Sequence, residues 1–448
     1  MRALVATCLF LFAFEGLAAT ASYDLRYDGG HFVHVEASLP AGDGRLLIAQ
    51  GGGIDQLPNQ WATFVHITEP ANAPLVGSAG WTTDADRPIA MRYDVDLDYA
   101  VGQWPAGNEQ SGRLFANALY SVTKPFFIYT SATTDARVRF KLPPGWRTAT
   151  PWARAEGGEF VVPSIERLTL NSVVLGIFPT ASLHTGPFDI TVATPGFREV
   201  PLPLQRALKT AGTVAARIFD KTPRGKYLMT FFREDSEDGE SYADSAAITS
   251  PDPFDQAGMI VTGNTIVHEL LHHWLGGQIA PAEHDSMAWF TEGFTEYYAN
   301  VSLARSGVVA PELLLRKFNN QVSGYLYFCE SSLFHGVTVS EAGKKKGAYR
   351  FGVYNAGWVV ALSLDAFIRT HTANAKSLDD AMRLLYERNG LTRQPLTIED
   401  VAKAVEDVAH ASARELLAKY VEQRNELPIA ATIEQLGLTL RGQPYAAD

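Results

Sequence analysis

The stretch from His268 to Tyr298 constrains this chain most, because it requires two helices to converge on one point. It opens His268-Glu269-Leu270-Leu271-His272 and closes Trp289-Phe290-Thr291-Glu292-Gly293-Phe294-Thr295-Glu296-Tyr297-Tyr298. Residues four apart share a helix face, so His268 and His272 point the same way. Glu292 comes after the nineteen residues 273–291, and a second helix can bring its carboxylate to the two imidazoles. Two neutral imidazoles and a carboxylate are the ligand set of a catalytic zinc, with a fourth position open to water. One Zn2+ ion is therefore expected on His268, His272 and Glu292.

Glu269 lies about 100° round the helix from His268. It can reach a water at the metal without being a ligand, which makes it the expected general base. Glu296, one turn beyond Glu292, is the expected acceptor for a ligand histidine ring N–H. His273 points off the metal face and His284 sits in the intervening loop, so both are expected bystanders. The chemistry that follows is hydrolysis by metal-activated water. Glu269 moves a proton from the water to the leaving amine, and a further donor helps bind the oxyanion.

A chain of 448 residues exceeds the usual single domain, so two or three units are expected. With 46% hydrophobic and 19% charged residues, a large core is available and wholesale disorder is not expected. The net charge of −11 gives no footing for a nucleic-acid partner. Lys344-Lys345-Lys346, the one basic run, reads as a solvated loop. At the N-terminus Arg2, the apolar stretch Ala3 to Phe14 and Ala19-Thr20-Ala21 read as a cleaved secretory signal over residues 1–21. That stretch is too short to span a bilayer, and no membrane span is expected in the mature chain. Cys329 is then the one remaining thiol and reads as a small buried apolar residue. A secreted or bacterial periplasmic location is expected.

The expected fold class is α+β. Residues 22–198 read as an all-β domain, with strands at His31 to Ala37, Arg45 to Ala49, Ala62 to Ile67, Ala90 to Leu97, Phe126 to Thr130, Arg137 to Leu142 and Phe188 to Ala193. Residues 199–305 form the metal-bearing unit. Leu202 to Phe219 has helical spacing, Tyr227 to Phe232 reads as a strand, and Glu234 to Glu240 as an acidic loop. The helix of the first motif is expected to start near Asn264 or Thr265, either of which can cap it. Residues 306–448 read as an α-helical subdomain, with a long apolar helix over Arg350 to Thr370 and helices capped by Ser377 and Thr397.

His268-Glu-Leu-Leu-His-His-Trp-Leu-Gly-Gly277 followed by Trp289-Phe-Thr-Glu-Gly-Phe-Thr-Glu-Tyr-Tyr298 resembles the gluzincin metallopeptidases, zinc enzymes whose third ligand is a glutamate. Within them it is similar to the aminopeptidase-N and glycyl-aminopeptidase families. Tyr354-Asn355-Ala356-Gly357-Trp358-Val359-Val360 matches their Tyr-x-x-Gly-x-x-Val segment. Ser377 to Arg383 and Leu385 to Arg388 look especially like the glycyl-aminopeptidase family. The resemblance implies a thermolysin-like catalytic domain, peptide substrates, and Tyr354 as the phenol that stabilises the oxyanion. From the residues alone Tyr354 is a tyrosine on a buried helix.

The sequence departs from the families at the segment that holds the substrate's free amine. Here it reads Gly239-Glu240-Ser241-Tyr242-Ala243-Asp244-Ser245, with Glu240 or Asp244 as the available carboxylate. The reading is a zinc metallopeptidase, an aminopeptidase on short peptides. The alternatives are an endopeptidase or other amidohydrolase without free-amine recognition, and a catalytically silent binding protein that keeps the fold.

Overall fold

A computed structural model describes residues 19–49, 60–70, 75–76, 80–83, 87–97, 111–251 and 254–439. Most of the expected signal, residues 1–18, lies outside these. The described chain begins in a strand, Ala19–Tyr27, whose Ala21 is fully buried. Cleavage after Ala21 would therefore remove the first three residues of that strand.

The fold is α+β and is layered. The outer layer is a seven-stranded sheet in which Ala19–Tyr27, Phe32–Leu39 and Ile89–Asp96 lie side by side. These strands alternate strictly. Tyr23 and Leu25, Val33 and Val35, and Met91 and Tyr93 face inward, while their neighbours face solvent. That is the pattern of a sheet covered on one face. The middle layer is four-stranded and contains Ala118–Val122 and Ser172–Gly176. Both strands are buried along their whole length, because both faces are covered. Leu119, Val173 and Leu175 pack on the outer sheet, whereas Ala118, Tyr120 and Val174 pack on Leu228, Phe232 and Ala247 of the third layer.

That third layer is the five-stranded sheet that carries the site. Its order is Thr180–Thr185, Phe188–Ala193, Gly225–Phe232, Ser245–Thr249 and, at the edge, Asp238–Ser241. The expected boundary near residue 198 is therefore too late. The hairpin Thr180–Ala193 continues the third sheet through parallel pairing of Phe188–Ala193 with Gly225–Phe232. Part of the expected acidic loop is also strand, since Asp238–Ser241 pairs antiparallel with Ser245–Thr249.

Two other expectations differ. Phe126 to Thr130 is not a ladder strand. It begins in a single 3-10 turn, Lys124–Phe126; tyrosine hydroxyls hold two of its carbonyls, Tyr93 donating to Phe126 and Tyr23 to Ile128, each at 2.7 Å, and Tyr129 makes one isolated antiparallel bridge with Leu47. Ala62 and Thr63 end a short helical turn, and the strand starts at Val65.

The longer helices are α1 (Leu202–Ile218), α2 (Gln256–Leu271), α3 (Ala288–Ser306), α4 (Pro311–Glu330), α5 (Ala356–His371), α6 (Leu378–Leu385) and α7 (Ile398–Ala409). They share one core with the five-stranded sheet. Helix α2 starts eight residues before Asn264. Asp255 caps it by accepting from the Gly258 N–H at 2.9 Å. Ser377 and Thr397 form capping boxes with Asp380 and Asp400. The segment Phe351–His371 is the one described helix long and apolar enough to cross a bilayer. Here it runs through the core, with Ala356 to Ala366 buried.

Candidate active site

Helices α2 and α3 cross so that three ligand atoms converge. His268 Nε2 lies 2.9 Å from His272 Nε2 and 3.2 Å from Glu292 Oε2, and His272 Nε2 lies 3.4 Å from the same oxygen. Ligands at about 2.0–2.1 Å from a tetrahedral ion stand roughly 3.3 Å apart. The three atoms are thus already spaced to fit a zinc ion. Both outer ring nitrogens are also held. His268 Nδ1 faces Glu296 Oε2 at 3.3 Å, and His272 Nδ1 faces the Leu275 carbonyl at 2.9 Å. With Nδ1 donating in each ring, both Nε2 atoms are left as acceptors for a metal.

The surroundings favour positive charge at this point. Burial would lower His268, but Glu292 and Glu296 outweigh it and raise the ring to about 10. Burial would raise Glu292, but His272 and Lys346 hold it well below the usual carboxylate range. Burial likewise works against Glu296, and Lys317 with His268 keeps it well below that range. Glu296 is enclosed by donors: Asn264 Nδ2 at 2.7 Å, Gln321 Nε2 at 2.5 Å and Lys317 Nζ at 3.0 Å.

Glu269 projects from α2 between the metal cluster and the edge strand, and it is buried. Burial raises its pKa, partly offset by His272 and His268. The edge strand comes close here because of Gly239. A Cβ at that position would fall 2.8 Å from Glu269 Cγ and 2.9 Å from Thr265 Cγ2.

Tyr354 sits on a π-helical turn, Phe351–Asn355, directly before α5. Its ring centroid is 6.0 Å from that of His268. Burial, then Glu292, pushes its hydroxyl well above the ordinary phenol value. The distance between Tyr354 and Glu292 is set by glycine on both helices. A Cβ on Gly293 would lie 2.3 Å from the Gly357 carbonyl carbon, and one on Gly357 would lie 2.2 Å from the Trp289 oxygen. Only two glycines let α3 and α5 touch backbone to backbone.

Sequence reasoning missed Lys346. Its half-exposed side chain reaches in from the lysine run and places Nζ 2.6 Å from Glu292 Oε1. The same ammonium stands 5.4 Å from the Tyr354 ring centroid. No local pattern marks it, because the contact joins residues 54 apart in sequence. Asn264 and Gln321 were missed for the same reason. Asn264, expected as a cap, lies inside α2, and its amide serves Glu296 instead.

The two amine-site candidates separate. Glu240, on the edge strand, lines a cleft of about 450 Å³ with Glu269, His272, Glu292 and Tyr354. Burial and the nearby Glu269 raise it to about 7, against the pull of Lys124. Asp244 does not line that cleft. Both of its oxygens are taken by Arg167, at 2.5 and 3.1 Å. His273 is packed edge-on against Phe188 with centroids 4.8 Å apart, and His284 is exposed at the cleft mouth. Cys329 is half-buried, and burial raises its thiol.

Residues 262–332 match the family model described as M61 glycyl aminopeptidase. This segment contains all three ligands and Glu269. The chain is a peptidase-class zinc enzyme resembling the gluzincin aminopeptidases. No curated protein matches it. Among solved structures it is similar to an aminopeptidase N family protein from Idiomarina loihiensis, with TM-score 0.74 and 15% identity, covering 93% of this chain and 78% of that one. It is also similar to an M1 zinc metallopeptidase from Deinococcus radiodurans, with TM-score 0.54 and 16% identity, covering 92% and 95%. A variant of the latter bound to a Tyr-Ser-Ala substrate gives TM-score 0.55 at 15% identity, covering 93% and 96%. At these identities the shared property is the fold.

Proposed function

We propose that the protein is a secreted or periplasmic zinc aminopeptidase acting on short peptides. The observation that carries this reading is one cleft lined by His272 and Glu292 of the ligand cluster together with Glu269, Tyr354 and Glu240. Among the described residues, the outer side of the edge strand Asp238–Ser241 has no strand neighbour. A peptide can add there as a further strand, its backbone held by main-chain hydrogen bonds. Glu240 then receives the substrate's ammonium group.

His268, His272 and Glu292 hold the ion, which when bound supplies Lewis acidity and lowers the pKa of a water. Glu269, raised by burial, takes the proton of the attacking water and returns it to the leaving amine. Tyr354 keeps its proton across the working pH range and donates a hydrogen bond to the oxyanion. Lys346 occupies Glu292 Oε1, which leaves Oε2, the oxygen nearest both histidines, for the ion. Glu296 orients the His268 ring and is itself locked by Asn264 and Gln321.

The test compares wild type and Glu269→Gln on peptides with free and blocked N-termini. Cleavage of free-amine peptides alone, lost in the variant, supports the reading. Cleavage of blocked peptides as well transfers the protein to the endopeptidases. No hydrolysis by a zinc-loaded wild type leaves only a binding protein with a peptidase fold.

A further inference from the structure

The middle sheet brings one more charged group to the cleft. Strand Ala118–Val122 ends at Thr123, and the turn after it carries Lys124. Lys124 is 7% exposed and lines the same cleft as Glu240 and Glu269. Its ammonium makes no hydrogen bond or ion pair among the described residues. Lysine is rarely buried without a partner, because a desolvated ammonium without one is costly. Burial lowers its pKa, and the charge of Glu240 opposes that shift.

The placement is rigid. Thr123 N–H donates to the Asn171 carbonyl at 2.8 Å, and the Asn171 N–H returns a bond to Thr123 Oγ1 at 3.1 Å. The Asn171 side-chain oxygen then accepts from the Asp244 N–H at 3.0 Å and from Ser245 Oγ at 2.9 Å. The turn carrying Lys124 is thereby pinned to the strand pair carrying Glu240. Glu240 also stands opposite Ala247, whose side chain packs on the middle sheet. Glu240 and Lys124 thus approach the cleft from the same side of the five-stranded sheet.

We propose that Lys124 is a specificity residue that selects peptides whose first residue is acidic, aspartate or glutamate. This rests on the aminopeptidase reading. Glu240 takes the α-ammonium group, and Lys124, on the turn that the middle sheet brings to the same cleft, takes the side-chain carboxylate. The two form a complementary pair for a residue that carries both charges. A carboxylate at the other end of a short peptide, its C-terminus, would sit across the metal from Glu240 and away from Lys124.

The experiment measures kcat/KM of the zinc-loaded full chain on Asp-, Glu-, Ala- and Gly-p-nitroanilides, and on Ala-Ala against Ala-Ala-amide. Lys124→Met and Lys124→Arg are compared with wild type, and L-aspartate and L-alanine binding is followed by calorimetry. The expected acidic-to-alanyl ratio exceeds one in wild type, falls about 10–100-fold in Lys124→Met, and is largely restored in Lys124→Arg, as for loss of a charge-assisted hydrogen bond. L-Aspartate should bind wild type more tightly than L-alanine and lose that advantage in Lys124→Met. A ratio below one, or one unchanged in Lys124→Met, overturns the proposal while leaving the aminopeptidase reading intact. So does a loss that falls on Ala-Ala and spares Ala-Ala-amide. If no free-amine substrate is cut, that reading fails instead, and the binding comparison decides Lys124: equal binding of the two amino acids overturns its role.

Discussion

On the helical side of the cleft, each of the three ligands has another group holding it. His268 is held by Glu296, Glu296 by Asn264, Gln321 and Lys317, His272 by the Leu275 carbonyl, and Glu292 by Lys346. On the strand side Glu240 and Lys124 line the same cleft. The first arrangement fixes ligand geometry before an ion or substrate arrives, which is what electrostatic preorganisation requires. The second leaves charge to be matched by the substrate. The two sides thus divide the work into chemistry and choice.

The largest effect should come from the chemical side. Glu269→Gln should lower kcat by about 10²–10⁴-fold, within the range of a general base, with zinc content unchanged. A loss of zinc along with activity would make Glu269 a ligand support rather than a base. Tyr354→Phe should cost about 10²–10³-fold in kcat with KM little changed, as for one oxyanion donor. An unchanged kcat would remove Tyr354 from the mechanism. Glu296→Ala should weaken zinc affinity about 10–100-fold, measured by competition with a chelator. An unchanged affinity would mean that the shell around His268 is structural only.

The strand side should show itself in pH dependence. Glu240 has a folded value of about 7 against an ordinary 4.5. It is therefore ionised above about pH 7 and protonated below it. KM for free-amine peptides should rise as pH falls through 7, and Glu240→Gln should flatten that rise at a higher KM. A raised carboxyl contributes stability that is fully present below 4.5 and lost as pH climbs through 7. Glu240→Gln should accordingly gain thermal stability relative to wild type at pH 8 compared with pH 5. An identical pH profile in the variant would show that Glu240 is not the titrating group. The smallest change is one methyl at the helix crossing. Gly293→Ala should destabilise the fold by about 1–3 kcal/mol through overpacking against Gly357, read as a lower Tm. A neutral result would mean that α3 and α5 can move apart without cost.

The same contrast governs what could be read from the sequence. His268, Glu269, His272, Glu292 and Glu296 lie on two helices, where spacing alone states which residues share a face. Lys346, Asn264, Gln321 and Lys124 act across elements, and no periodicity predicts those meetings. Phe32–Leu39, Ile89–Asp96 and part of Thr133–Lys141 in the outer sheet are legible because one face is wet and the other dry, whereas Ala19–Tyr27, which alternates as strictly, is missed because its first residues read as the end of a signal. Ala118–Val122 and Ser172–Gly176 escaped notice because both of their faces are covered, which erases the alternation. Phe126 to Ile128 look like a strand by composition, yet tyrosine hydroxyls rather than a neighbouring strand hold their carbonyls. The start of α2 was misplaced because Asn264 and Thr265 look like caps. In the fold both are spent inside the helix, on Glu296 and Glu237.

The most direct test is the zinc content of the purified chain after removal of metal by chelation and re-addition of one equivalent. One ion per chain is expected in wild type and in Glu269→Gln, and none in His272→Ala. A wild type that retains no zinc, or a His272→Ala variant that holds a full equivalent, would contradict the ligand set.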